Sequence, residues 1–232
     1  MTRPADLPDY WLSRPAPLLD PTVAAEFDQL LAAAETSGPV QPIEYRSRHP
    51  LWQFLCHVAD TGRYVLHGSG SGDVSQFEPR QANDSEEFGN RMGVYAAADG
   101  IWAMYYAVVD RALASGLVNA CVRFGDPGAA PEEFHGPYYY FSVDAGDHPA
   151  PWRTGYVYLL PADGFESQEQ VDSDGRSVLI AQRFNPEPVR PTAQVVVHPE
   201  DFPYLEQVHR HVNSEINERH AADPDGFPWH TS

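Results

Sequence analysis

Residues 64–70 read YVLHGSG, an apolar run that ends on His67, Gly68 and Ser69 and then breaks into glycine and serine. Burial alone favours another valine or leucine there, because an imidazole or hydroxyl taken out of water must be hydrogen-bonded. The three residues are therefore candidates for contact with a ligand. Downstream, a loop containing FEPR (77–80) leads to GVYAAADGIWAMYY (93–106), in which Tyr95 ends a short strand and Tyr106 sits inside the next helix, 11 residues on. A strand-end tyrosine and one two turns into the following helix can both face one cleft beside the His-Gly-Ser strand. Two aromatic walls of this kind suit a flat heteroaromatic ring. The competing reading is a hydrogen-bonded histidine at a strand end among core aromatics, with Trp102, Met104 and Tyr105 as natural core members; the order and spacing of the whole set favour the cleft.

The elements that must position these residues are legible as patterns. In DPTVAAEFDQLLAAAETSG (20–38), Asp20 is a helix N-cap, Pro21 the first helical residue and Gly38 lies just past the end, with Val23, Phe27, Leu30, Leu31 and Ala34 at helical spacing. A second helix is expected in HPLWQFLCHVADTG (49–62), with Trp52, Leu55, Cys56 and Ala59 on one face. From Tyr64 onward the texture is of short β-like runs: RYVLHGS, GVYAA, LVNACVRFG, YYYFSV, TGYVYLLP, SVLIAQRF and AQVVVHP. One helix lies among them, entered through Asp99 and left at Gly116, and residues 201–223 read as a polar terminal helix followed by a loose tail. Helices first, then strands around a single helix, predict an α+β fold with a mixed or antiparallel sheet. The expected organisation is an N-terminal helical segment (1–62), a sheet domain (63–212) and a terminal helix end and tail (213–232).

The order His-Gly-Ser, a glycine-led strand with tyrosine, and a small-residue helix with a second tyrosine resembles the ADP-ribosyltransferase-like fold of poly(ADP-ribose) polymerases and diphtheria toxin. The resemblance covers about residues 63–107. It implies that NAD is bound as substrate, that His67 holds a ribose hydroxyl, that Gly68 offers backbone groups to the carboxamide, that Ser69 touches the nicotinamide ribose, and that Tyr95 and Tyr106 sandwich the ring. It also implies a glutamate near the start of a late strand, where a carboxylate stabilises an oxocarbenium-like transition state and orients the attacking hydroxyl. The best-matching position here, in RPTAQVVVHPEDFP, is Gln194. Glutamine keeps a hydrogen bond but no charge, and losing such support costs about 2.7–4 kcal/mol. Glu166 and Glu169, in DGFESQEQ, are substitutes from a neighbouring loop. Two functions follow from the resemblance: transfer of ADP-ribose to an acceptor such as a protein, or hydrolysis of NAD. The alternative is a non-catalytic nucleotide-binding or protein-interaction module. RNA 2′-phosphotransferases share the fold without the glutamate, and Arg80, Arg91, Arg153 and Arg190 are the cations available for that role.

Charge argues against an RNA substrate. The 232 residues carry 15 Lys+Arg against 33 Asp+Glu, a net −18, and no local basic run is present to overcome repulsion of a nucleic acid or acidic membrane. The histidines of HRH (209–211), i and i+2 on the expected helix, diverge instead of converging on a metal, and no metal is called for. Walker, Gly-x-Gly-x-x-Gly and Gly-x-Ser-x-Gly patterns are absent from the sequence. Cys56 and Cys121 lie among apolar neighbours and read as buried free thiols. With no signal-like start and no apolar stretch of about 20 residues, a soluble cytoplasmic protein is expected.

Overall fold

In the computed structural model, which describes residues 7–16, 19–36, 38, 40–81, 88–168, 170–173 and 175–229, the helices are α1 (Pro21–Thr36), α2 (Leu51–Asp60), α3 (Gly100–Val108) and α4 (Asn213–Ala222). Glu169 lies outside the described residues. The strands are β1 (Leu12–Ser13), β2 (Gln41–Pro42), β3 (Tyr64–Ser69), β4 (Arg80–Gln81), β5 (Met92–Ala97), β6 (Gly116–Gly125), β7 (His135–Asp144), β8 (Gly155–Pro161), β9 (Glu166–Ser167), β10 (Val171–Ser173), β11 (Arg176–Ile180), β12 (Gln182–Asn185), β13 (Ala193–Val197) and β14 (His209–Arg210). They form two sheets. One has the order β1-β7-β6-β11-β10, with β14 also on β7; the other has the order β2-β13-β8-β3-β5-β12-β9, with β4 also on β5. All neighbours are antiparallel except β2 with β13 and β14 with β7, so the fold is α+β with mixed sheets.

The N-terminal helices form where their caps predict. Asp20 Oδ1 accepts the Thr22 N–H at 2.8 Å, and Gly38 and Gly62 take the positive φ values of 94° and 70° that end α1 and α2 without a Cβ penalty. Trp52, Leu55, Cys56 and Ala59 are all buried, but so are Phe54 and Val58 on the other side of α2, because the helix is enclosed. Phe27, Leu31, Phe54 and Leu55 share one apolar cluster with Leu66 and Leu159 of one sheet and Tyr139 and Phe141 of the other. The helical lead thus contributes to the core between the sheets.

Three elements differ from the sequence expectation. The run SVLIAQRF divides at Ala181, whose N–H donates to Cys121 O (2.9 Å) in one sheet while its carbonyl accepts Ala98 N–H (2.7 Å) in the other. β11 and β12 therefore belong to different sheets. The helix entered at Asp99 stops at Val108, well before Gly116, because Val109 is extended and bridged to Trp152. The first half of the expected helix over 201–223 is not α-helical but holds a short 3-10 turn (Leu205–Gln207) and β14, since Phe202 and Tyr204 are drawn into the core and Pro203 interrupts the helical pattern. Only 213–222 is helical. His209 accordingly stacks on Tyr140 (5.3 Å between centroids), and His211 Nδ1 lies 2.6 Å from Ser142 Oγ.

A buried ionic cluster ties the N-terminal segment to α3. Asp99 is 1% exposed; its Oδ1 caps α3 by accepting Trp102 N–H at 3.0 Å, while Oδ2 accepts from Arg14 Nη2 at 2.7 Å and from Tyr139 Oη at 2.9 Å. Arg14 also reaches Asp60 at 2.7 Å. Cys56 and Cys121 are buried free thiols, and burial first, with Asp99 nearby, pushes both up and keeps them protonated. Among the described residues no helix is long and apolar enough to cross a membrane.

Candidate functional site

The candidate site opens where β3 and β5 part. The two strands are paired only at Leu66 and Ala97. Ala98 N–H bonds Ala181 O, which makes Ala97 and Gln182 a non-hydrogen-bonded pair and turns the backbone groups of Ala97 toward Leu66. Strand backbone groups alternate sides, so Gly68, two residues after Leu66, directs its N–H and C=O to the same side, where β5 has diverged. His67 bridges the gap with its side chain: Nδ1 is 2.6 Å from Tyr95 O. A carbonyl only accepts, so Nδ1 carries the proton and Nε2 is left with an unused lone pair.

Helix α3 supplies the opposite wall. It sits so close to β3 that a Cβ on Gly68 would run into the Ala103 carbonyl oxygen and come within 2.7 Å of Ala107 N. The glycine is thus fixed by packing as well as by its position at the cleft. Trp102, Ala103 and Tyr106 face the opening, and a single side chain orders both rings: Asn119 Oδ1 accepts from Trp102 Nε1 at 2.6 Å and from Tyr106 Oη at 2.9 Å. Tyr95 is the fourth residue of β5, inside the strand and not at its end. Its hydroxyl accepts Arg91 N–H at 2.8 Å and lies 2.9 Å from both Phe88 O and Arg91 O, which locks the ring. The resulting cleft has a volume of about 210 Å³ and brings together His67, Gly68, Tyr95 and Tyr106 with Trp102 and Gln182.

No family model, curated protein or solved structure matches this chain.

The other sequence candidates lie outside the cleft. Ser69 Oγ accepts Ser71 N–H at 3.1 Å, closing the turn after β3. Gln194 aligns with His67 through Tyr158 across β13, β8 and β3, two strand spacings or about 10 Å away on the same face. It is 7% exposed, its Nε2 donates to Gly72 O at 2.9 Å, and its Oε1 is buried without a partner. The segment 71–77 covers it: Tyr158 Oη donates to Ser71 O (2.8 Å), and Phe77 packs on His67 and Tyr158 at 4.4 and 5.1 Å. Glu166 lies across β12 from Tyr95 and forms an exposed ion pair with Arg91 at 3.2 Å, while the Arg91 guanidinium lies 3.8 Å over the Phe184 ring. Of the other arginines, Arg153 packs on Gly70 and Arg190 donates to Gln76 at 2.8 Å. Trp102 and Asn119 were not singled out from sequence. Trp102 is a core residue, as its sequence context predicts, at 6% exposure, and it also borders the cleft, while nothing local marks an asparagine within a strand.

Burial holds the His67 pKa below its usual value, the nearby Arg80 charge adds to this, and the bond to Tyr95 O opposes it. The sign follows. The unfolded chain takes up a proton near pH 6.5 that the folded imidazole resists, so the His67 contribution is intact above that pH and is lost as pH falls below it. Wild-type stability is expected to drop between about pH 7.5 and about pH 5.5 by more than that of His67→Asn. Urea midpoints of both proteins at the two pH values measure this, and equal drops would assign the loss to other groups.

Proposed function

We propose that the cleft binds the nicotinamide end of NAD or a related nucleotide, and that the chain is an ADP-ribosyltransferase-like protein. The observation that carries the reading is the meeting of His67, Gly68, Tyr95 and Tyr106 in one cleft at the parting of two strands. A primary carboxamide offers a donor and an acceptor, the complement of the Gly68 C=O and N–H. The free Nε2 of His67 can accept a bond from a ribose hydroxyl, and the rings of Tyr95, Trp102 and Tyr106 can contact a planar heterocycle. A small-molecule nucleotide as ligand and a cytoplasmic location go with this reading. A protein acceptor goes with its transferase form.

A second reading, a binding module without turnover, is favoured by Gln194. At the position that by resemblance calls for a carboxylate, the chain has a neutral amide engaged with Gly72 O. Glu166, the alternative carboxylate, is engaged by Arg91.

Both readings require the nucleotide to bind. NAD and nicotinamide are expected to raise the unfolding temperature of the wild type, and Tyr106→Ala, a change at a residue 37% exposed, is expected to weaken that effect while the domain still folds. The lost ring contact is worth about 1–3 kcal/mol of binding, by analogy with base–aromatic stacking. Thermal unfolding with and without millimolar NAD is the measurement. A wild-type curve unmoved by NAD removes the proposal.

A further inference from the structure

A second cavity, of about 180 Å³, is bordered by Ala59, Tyr64, Val65, Ala98, Phe165 and Arg183. It lies beyond the Leu66–Ala97 pair from the first, toward the start of β3 and the end of β5. Tyr64, Val65 and Ala98 border it, whereas His67, Gly68, Tyr95 and Ala96 border the cleft. Two of the side chains that border it are polar. The Tyr64 hydroxyl is already committed to Glu35 Oε1 at 2.8 Å. The other is the Arg183 guanidinium.

Arg183 is only partly exposed. The protein has 33 acidic residues against 15 basic ones, all arginine, and Arg14, Arg63, Arg91 and Arg219 each pair with a carboxylate. Arg183 makes one hydrogen bond, from Nη1 to Gln182 O at 2.8 Å, and no carboxylate of the described residues pairs with it. A guanidinium stays charged and has five N–H donors, so most of its donors have no protein acceptor. Holding such a charge partly out of water without a counterion costs stability. Burial lowers its pKa, in keeping with that cost.

We propose that this cavity binds a small organic anion, with its oxyanion on the Arg183 guanidinium and its apolar body against Phe165 and Ala59. The fork of N–H donors matches the oxygens of a carboxylate or a phosphate, which is the shared chemistry. The site does not depend on the nucleotide reading of the first cleft.

Benzoate and inorganic phosphate serve as probes, each against sodium chloride at matched ionic strength so that screening of the net −18 charge is held constant. At least one probe is expected to raise the wild-type unfolding temperature saturably. Arg183→Gln should lose about tenfold or more in apparent affinity, and Tyr106→Ala should keep the response. Benzoate alone would identify a carboxylate ligand with an apolar body, and phosphate alone a phosphate group. In anion-free buffer Arg183→Met is expected to be at least as stable as wild type, since it removes an uncompensated charge. The proposal is overturned if neither probe exceeds the chloride control, if Arg183→Gln responds like wild type, or if neither Arg183→Gln nor Arg183→Met folds. The last result would make the arginine a structural member of the sheet. Loss of the NAD effect in Tyr106→Ala with the anion effect retained separates failure of one site from failure of the other.

Discussion

Asp99→Ala is expected to lower the free energy of unfolding by about 3–5 kcal/mol, because it breaks a buried ion pair from one side only. Arg14 would keep Asp60, a half-exposed partner, but lose the buried carboxylate 2.7 Å from its Nη2. The Tyr139 hydroxyl would lose its acceptor in the core, and α3 would lose its N-cap, a loss worth about 1 kcal/mol by itself. Asp99→Asn keeps an oxygen for the Trp102 N–H and should cost less. The consequence reaches the site, because α3 carries Trp102, Ala103 and Tyr106 on one wall of the cleft. Urea denaturation of the three proteins gives the order wild type, Asp99→Asn, Asp99→Ala. A loss below about 1 kcal/mol for the alanine variant would reduce the cluster to a helix cap.

Asp99 also shows what the sequence made legible. Its role as a cap is local, readable from an aspartate before a helical run, and the structure agrees. Its partner Arg14 lies 85 residues away in the chain, and no local pattern announces that pairing. The same division holds for the site. His67, Gly68, Tyr95 and Tyr106 stood out because their types and spacing are unusual for a buried strand and helix, and they line one cleft. Asn119, which orders two of the rings, sits within strand β6 and gains its meaning only from its contacts with α3. The division of SVLIAQRF at Ala181 was hidden for a related reason: eight residues of unbroken strand propensity carry no mark of a change of sheet. That change brings Gln182 to the cleft. Local chemistry named much of the lining, and only topology could show where the strands part.

Gln194→Glu separates the two functional readings and has a stability signature of its own. The amide now donates from Nε2 to Gly72 O, and its Oε1 has no partner. A carboxylate there has no proton to donate and faces a carbonyl oxygen, so at neutral pH the substitution is expected to cost about 1–3 kcal/mol even though the side chains are nearly isosteric. Once protonated, the introduced carboxyl can donate to Gly72 O again. Its pKa in the fold is therefore raised above the usual value near 4.3, the stability is fully present below that value, and it is lost as pH rises through the folded one. Unfolding midpoints should accordingly lie closer to wild type under acid than at neutral pH. Nicotinamide release from NAD then decides the function. On the transferase reading, a negative charge two strands from His67 supports the developing oxocarbenium ion only at a distance of about 10 Å, and turnover should rise by no more than about tenfold over a slow or silent wild type. On the binding-module reading, both proteins bind NAD and neither releases nicotinamide. Glu166→Gln, measured alongside, covers the remaining case: if the wild type is active and this variant is not, the working carboxylate lies on β9 beside Arg91, and Gln194 serves only to hold the segment at Gly72.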